Sequence, residues 1–599
     1  MERKIIFNNF RNLGIEKPQE LMLNKTENGQ SLGELVIVIG GNNSGKTNVL
    51  NGVLTLEEGI DEKLDKPDFI YEKDTDTYVK IQLRTGENKW SYIVRPNCAN
   101  AYDDLNGESK ELTISKIRKT TPVYEISNEM RTRLMQTGRT DIMQKMEQLQ
   151  PLDDAEIQNT DNALGLRYNY GNENLNGKLR KEFDNYIVAM KIIVAKKTNS
   201  EKIGEINEQV LSSTGIPLIP KIINYEENFI SQNEMVVSID DLDKSLFFKN
   251  IFYIMEINIE EVENCYKQFK TSNVRAILTQ LQIKMNKKLG GFANLFNKMY
   301  SFDNNKYRFE FAFDPDKIYF SIIYGNETPL NLDRQSTGFR WFFNFFIYLS
   351  NKQDLKKGDI VIMDEPATNL HVRGVTELRD FLKEYAHRSG ITFIVSTHSP
   401  FMIDIDHLDE LRIVKKDAEK SEIVNDFTLT DEENRDALFD VLGSLTVGRH
   451  ILLNPNDTLI FVEGITDYNY LVAFKNYFKK PNISFLPVKG LKDKKLIEKL
   501  CEIKKDPILL VDGDKAGEIA IEKNKKKGNK VEIHSLKDID EKFNTIEDLF
   551  TGKDKDLVAG PKKTNKNSRY IKNNYAEFIK KLSPETINNF KKLLELLEI

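Results

Sequence analysis

Four carboxylates in the C-terminal part of the chain have the types and spacing for phosphoryl chemistry. Glu463-Gly464-x-x-Asp467 follows one apolar run, and Asp512-Gly513-Asp514 follows another. Clustered acidic oxygens are hard ligands that suit magnesium or manganese. The step from Glu463 to Asp467 is about one helical turn, which sets both acids near one point. Asp512 and Asp514, two apart in extended chain, project to one side, and Gly513 leaves room there for a phosphate or metal. A second group lies far upstream, where Gly40-Gly41-Asn42-Asn43-Ser44-Gly45-Lys46-Thr47-Asn48 contains a full GxxxxGK[ST] loop. In such a loop the glycines turn backbone amides inward, the lysine reaches the outer phosphates and the hydroxyl meets magnesium.

These groups need strands and helices to hold them. LVIVI (35–39) reads as a strand feeding the phosphate loop, and TNVLNGVLTL as the helix after it, the context the motif requires. Asp359 to Met363 reads as a buried strand ending in Asp364-Glu365-Pro366. Asp364 is placed to hold magnesium through water, and Glu365 to act as general base or to position the attacking water. A further strand, 391–395, ends in Ser396-Thr397-His398-Ser399-Pro400, so His398 can reach a terminal phosphate. Asp333-Arg334-Gln335-Ser336-Thr337-Gly338 opens an aromatic helix, FRWFFNFFIYL. Downstream, strands at 458–462, 483–488, 507–511 and 530–534 alternate with a helix continuing through 471–479 and another near 492–504. That order implies a parallel sheet whose acids lie at its C-terminal edge, where α/β ligand sites are found.

The phosphate loop, the Asp364-Glu365 pair, STHSP, NFRNLG near the start and Asn369-Leu370-His371 together resemble the ABC-type ATPases of the RecF, SMC and OLD kind. The resemblance implies ATP as ligand and a signature serine and glycine, here Ser336 and Gly338, that reach nucleotide held by a second subunit. QSTG stands where transporters carry LSGGQ, which favours the soluble branch. The C-terminal module resembles a TOPRIM domain. Members of the OLD family add an acid and a base downstream to complete a two-metal nuclease site. Glu547 matches the acid, with Asp548 second, and either Lys563 or Lys566 matches the base. The chain is thus similar to OLD-family ATP-dependent nucleases, such as the nuclease subunits of Gabija-type anti-phage systems. The implied activity is ATP-linked, Mg²⁺- or Mn²⁺-dependent endonuclease cleavage of DNA, through homodimers or larger assemblies and with a helicase-like or other defence partner. RNA cleavage, a non-cleaving DNA-bound sensor and a housekeeping recombination ATPase stay open.

The expected fold class is α/β. An N-terminal ATPase lobe occupies 1–130, a helical insertion 131–300, the second ATPase lobe 301–450, and TOPRIM with basic C-terminal helices 451–599. The insertion, with amphipathic candidates at 178–197 and 272–288 and a strand pair around 216–224, either mediates dimerisation or completes the ATPase. Strands at 307–313 and 317–324 are expected to pair. A surface turn is expected around 523–529.

With 599 residues, 40% of them hydrophobic and 30% charged, the chain has enough apolar material for several cores. Three scattered cysteines suggest neither disulfides nor a zinc site and fit a reducing cytoplasm. No apolar run reaches the length of a membrane span, and the N-terminus lacks a signal core. A net charge of −6 argues against a basic nucleic-acid coat. From Thr551 onward, however, eleven Lys and Arg stand against six Asp and Glu. That tail is either a phosphate-meeting surface or a solvated basic face.

Overall fold

LVIVI, apolar at every position, is buried along its whole length as the strand Leu35–Ile39, as expected of a parallel strand covered on both faces. The computed structural model describes residues 1–25, 34–61, 64–67, 76–85, 88–96, 102–106, 109–113, 126–148, 150–164, 175–227, 229–300, 306–325, 329–351, 355–366, 368, 370, 372–417, 420–425, 458–488, 508–514, 531–558 and 564–598. The chain divides into two compact units. One holds Met1–Gln30, Asn42–Ile222 and Val414–Asn425; the other holds Ser31–Gly41, Ile223–Ile413 and Asp426–Ile599.

In the first unit, strands with buried centres such as Glu2–Asn8 and Tyr78–Thr85 form a six-stranded sheet. Its order is Gln19–Lys25, Glu2–Asn8, Tyr78–Thr85, Asn88–Val94, Ser109–Thr113, Tyr102–Asn106, antiparallel except where Asn88–Val94 meets Ser109–Thr113. The helix Lys46–Glu58 packs closely on this sheet. A Cβ at Gly52 would lie 2.6 Å from the Phe7 ring, so the approach requires glycine. The same unit carries helices Asn128–Gln136, Thr140–Glu147, Asp154–Leu164 and the 40-residue Leu175–Thr214. Met130, Leu134, Ile142, Met146, Phe183 and Tyr186 form their common core.

In the second unit, Leu411–Asp417, Leu35–Ile39, Thr392–Ser396, Ile360–Asp364 and Ile222–Tyr225 lie side by side in that order. The first four are mutually parallel. The pair of strands expected around 216–224 is a single strand, Ile222–Tyr225, at the edge of this sheet. Pro217 and Pro220 remove the amides a preceding strand would need. Tyr307–Phe313 and Lys317–Tyr324 form the expected antiparallel pair, covered by helix Ala276–Met299. The aromatic helix Thr337–Asn351 adds to that core, with Phe292 and Phe346 rings 4.9 Å apart and Phe296 and Phe346 5.1 Å apart.

Also in the second unit is a four-stranded sheet ordered Ile483–Pro487, Thr458–Val462, Ile508–Val511, Glu532–Ser535, parallel throughout. Helix Ile465–Tyr477 packs on it and is covered in turn by Thr564–Asn573 and Pro584–Leu597, with Phe474 stacked on Phe590 at 3.7 Å. The helix expected at 492–504, the turn at 523–529, and Asn369, His371 and Lys563 lie outside the described residues.

Candidate functional site

The phosphate loop begins where the second unit's sheet ends. Strand Leu35–Ile39 lies beside Thr392–Ser396, with Val38 opposite Ser396, and Thr397 N–H donates to Val38 O at 3.1 Å. On the far side of Thr392–Ser396 runs Ile360–Asp364, with Asp364 opposite Ser396. Three parallel strands therefore end on one edge. There the chain passes from Ile39 into Gly40, from Asp364 into Glu365, and from Ser396 toward His398.

Hydrogen bonds tie these groups together. The Ser396 hydroxyl donates to Asp364 Oδ1. The Glu365 amide donates to Ser396 O and to Ser396 Oγ, both at 3.1 Å. Glu365 Oε2 accepts from the His398 amide at 3.1 Å, and His398 Nε2 stands 3.4 Å from Glu365 Oε1. Glu365 adopts φ 48°, a left-handed conformation unusual for glutamate. Asp364, Glu365 and His398 are thus brought together.

Within the first unit, Asn43 at φ 58° and Gly45 at φ 103° bend the loop, and Lys46 opens the following helix, buried, with Thr47 exposed beside it. A clasp holds the loop from behind. Ser421 Oγ donates to Ser44 O and accepts from Asn12 Nδ2, both at 2.6 Å. Asn48 Nδ2 donates to Asn12 Oδ1 at 2.8 Å, and Arg11 donates to Asn48 Oδ1 at 3.0 Å. Arg11 is itself paired with Asp65 at 2.9 Å. A Cβ at Gly45 would lie 2.7 Å from Ser421 Oγ, so the clasp as well as the positive φ demands glycine. Asn48, expected at the nucleotide, is a member of this clasp. Asn12 belongs to the NFRNLG string, but its partner Ser421 was missed by sequence reasoning, since no motif links residues some four hundred apart.

Ser336 is exposed at the start of the aromatic helix, where its Oγ accepts the Phe339 amide at 3.2 Å. It is an N-cap, with the free amides of the first helical turn beside it. Gly338 lies against Leu370, whose Cδ2 would be 3.2 Å from an added Cβ.

At the four-stranded sheet, Val462 is in register with Leu510 and Val511 with Ser535. Glu463, the Asp512–Asp514 loop and the turn after Ser535 therefore leave from the same edge. Asp467, on the first turn of helix Ile465–Tyr477, folds back so that its Oδ2 accepts the Gly464 amide at 2.9 Å. Burial holds its carboxyl well above the usual range. Asp512 and Glu547 add to this, the Gly464 amide opposes it, and Glu463 adds a smaller push. Asp467, Asp512, Glu547 and Glu463 are thus electrostatic neighbours.

Glu547 sits in the turn Ile546–Leu549, partly exposed. Asp548 does different work, its Oδ2 accepting the amides of Asn544 and Thr545 at 3.0 and 3.1 Å while Oδ1 pairs with Lys555 at 2.9 Å. Burial raises the Asp548 carboxyl, but Lys555 and the two amides outweigh it and leave the group below its ordinary range. Of the two acids Glu547 is the one beside Asp467, and Asp548 shapes the turn that presents it. Asp514 is exposed at the end of its loop.

Two details depart from the sequence reading. The space at Gly513 is filled by protein, since an added Cβ would be 2.2 Å from Phe543 O and 2.9 Å from Lys537 Cγ. Glycine is needed there because the 543–544 backbone crosses it, with the Gly513 amide donating to Asn544 O at 2.9 Å. The same contact places the stem of Lys537 over the residue between Asp512 and Asp514, a cation the sequence reading passed over. The signal was its position two residues beyond the fourth strand. Lys566 lies on helix Thr564–Asn573, with its side chain outside the described set, as is all of Lys563. Tyr470, one helical turn beyond Asp467, buries a hydroxyl that has no hydrogen-bond partner among the described residues. Burial pushes that phenol up, and Glu547 and Asp467 push it further.

As they stand, no three carboxylates among the described residues gather their oxygens about one point. The donor chemistry nevertheless fits a divalent cation. Burial first, and then the charges of Asp512, Glu547 and Glu463, drive Asp467 toward its neutral form, and a hard cation relieves the repulsive part.

Comparison with known proteins gives a family and partial likenesses. A curated relative, "OLD nuclease" of Thermus scotoductus (strain ATCC 700910 / SA-01), is 29% identical over 126 residues, which are 20% of this chain and 23% of that protein. The matched stretch is therefore under a quarter of the relative's length. Among solved structures, the SmcHead bound to the C-winged helix domain of ScpA aligns at 13% identity and TM-score 0.33, covering 71% of this chain and 97% of that one. The SMC head domain from Thermotoga maritima aligns at 12% and 0.30, covering 71% and 98%. A family model described as AAA ATPase domain matches residues 1–403, the stretch that contains the phosphate loop, the Asp364-Glu365 pair and His398. The chain belongs to that AAA ATPase domain family, and ATP is the ligand this implies.

Proposed function

We propose that the chain is an ATP-dependent nuclease of the OLD type, in which residues 451–599 form a TOPRIM domain that cleaves DNA. The observation that carries this reading is the neighbourhood of Asp467, Asp512, Glu547 and Glu463 at one sheet edge. The match to the Thermus OLD nuclease supports it. Glu463, Asp467, Asp512, Asp514 and Glu547 would hold Mg²⁺ or Mn²⁺, which when bound supplies an activated water and neutralises charge on the scissile phosphate. Lys537, Lys563 and Lys566 are the candidate cations for the phosphate itself. Lys46 and Thr47 would bind the ATP phosphates and their magnesium, and Asp364 would hold magnesium through water. Glu365 orients the attacking water, and His398, held on Glu365, faces the terminal phosphate. Ser336 and Gly338, at an exposed helix start, meet nucleotide across a homodimer, so nucleotide state regulates cutting. An anti-phage role with a further protein partner completes the reading.

Supercoiled plasmid and total RNA incubated with the purified chain, across Mg²⁺, Mn²⁺ and nucleotide states, test it. Metal-dependent nicking of plasmid that is lost in Glu463→Ala is expected. Degradation of RNA alone would move the substrate class, and no cleavage with any metal would refute the nuclease reading.

A further inference from the structure

The segment that follows His398 is gripped from two sides within the second unit. From the ATPase side, Lys383 on helix Val372–Ser389 pairs with Asp404 at 3.0 Å and Glu410 at 2.7 Å, while Arg379 donates to Ile403 O at 3.0 Å. From the side of the four-stranded sheet, Lys475 pairs with Asp406 at 2.7 Å, and Asp409 meets Lys572 as well as Arg569 at 3.6 Å. At the centre is the fully buried Tyr468. Its hydroxyl donates to Ile405 O at 2.6 Å and accepts from the Leu408 amide at 3.2 Å. The Lys572 ammonium stands 5.3 Å from its ring.

Tyr468 immediately follows Asp467 on the first turns of helix Ile465–Tyr477. Five residues separate His398, hydrogen-bonded to Glu365, from Asp404, where the gripped segment starts. His407 breaks that segment with φ −135° and ψ 50°, so it comprises two short turns joined at a kink, and Tyr468 bonds to both. A displacement of one turn relative to the other must therefore move the Tyr468 hydroxyl or break one of its two bonds. The tyrosine is not at the metal edge, yet it fixes the helix start whose carboxylate is.

We infer that Tyr468 is the positioning residue through which the nucleotide state around Glu365 and His398 sets the placement of Asp467 at the carboxylate edge. The inference rests on the nuclease reading above and names the regulation of that site. Lys383 also reaches both turns, through Asp404 and Glu410, but from the ATPase side; Tyr468 holds both from the side of the four-stranded sheet and adjoins Asp467. Coupling free energies between linked sites commonly amount to about 5- to 150-fold in activity or affinity.

The test is Tyr468→Phe in the full chain, assayed for plasmid cleavage in Mn²⁺ with and without ATP, and for ATP hydrolysis. Nucleotide-free cleavage and ATP hydrolysis should each stay within about threefold of wild type, while the ratio of cleavage with and without ATP falls to near one. A Tyr468→Phe protein that keeps the wild-type ratio overturns the inference. Wild-type protein that cuts without any nucleotide effect also overturns it, and with it the ATP dependence, while leaving the metal-dependent cutting itself; wild-type protein that never cuts removes the nuclease reading. If Tyr468→Phe fails to fold, Lys475→Met, which releases the Asp406 turn alone, should also lower the ratio. An unchanged ratio in Lys475→Met would then count against the inference.

Discussion

Lys572→Met isolates the energetics of the ionic layer beneath Tyr468. The Lys572 side chain is 1% exposed and its partner Asp409 15%. Burial pushes the Asp409 carboxyl up, yet Lys572, Arg569 and His407 together hold it far below its ordinary range. Removing one member of a buried pair costs about 3–5 kcal/mol, because the other charge stays desolvated. Arg569, 3.6 Å from Asp409, takes up part of the loss, and the methionine keeps the packing of the lysine stem. The lower end, about 3 kcal/mol, is therefore expected, or roughly 4 °C in the melting midpoint of the second unit, whose segments total 376 residues. Differential scanning calorimetry at neutral pH reads the shift directly. Adding Asp409→Asn to Lys572→Met should recover more than half of it, since no buried charge is then left alone. A Lys572→Met midpoint within about 2 °C of wild type would refute the claim that the pair is desolvated.

Four further outcomes are expected of the same molecule. Lys46→Ala should abolish ATP hydrolysis, whereas Asp512→Ala should abolish cleavage and leave hydrolysis near wild type; loss of both activities in Asp512→Ala would indicate misfolding or a wrong assignment. Tyr470→Phe removes a buried hydroxyl without a described partner, so the metal-free protein should be stabilised by about 1 kcal/mol, read as a higher melting midpoint. Glu410 is pushed up to about 8, by burial first, with Lys383 opposing and Asp404 and Asp409 adding. Its folded form keeps a proton that the unfolded chain releases near 4.5, so its stabilising effect is complete below that pH and is lost as pH rises toward 8. Glu410→Gln should accordingly flatten the decline in melting midpoint across that window. Lys537→Ala should reduce cleavage by at least about tenfold if its ammonium serves the phosphate, with Lys537→Arg restoring part; equal activity in Lys537→Ala would return the role to Lys563 or Lys566.

The sequence made the phosphate loop and both acidic strand ends legible for one physical reason. Parallel strands such as LVIVI and the IVIM of Ile360–Asp364 are apolar throughout and stop abruptly at a polar, glycine- or acid-bearing turn. The capping serine Ser336 was equally readable, from its place before an aromatic run. What stayed hidden depends on chain segments remote in sequence. Nothing near Gly45 announces Ser421, and nothing near Gly513 announces Phe543 O, which claims the space the glycine leaves. The two tyrosines Tyr468 and Tyr470 look alike in sequence, yet lie two residues apart on a helix and so face different neighbours. One bonds to Ile405 and Leu408, and the other lies beside Glu547.

The place of Leu35–Ile39 between Thr392–Ser396 and Leu411–Asp417 has a consequence during synthesis. Five consecutive apolar residues emerge from the ribosome early, while both neighbouring strands lie more than three hundred residues downstream. At about 5–20 residues per second, that strand waits on the order of 20–70 s for its hydrogen-bonding partners. The antiparallel strands Glu2–Asn8, Gln19–Lys25 and Tyr78–Thr85 find one another within the first hundred residues. Nascent chains halted before residue 390 should consequently be captured by chaperones that bind extended apolar segments, and chains released past residue 417 should not.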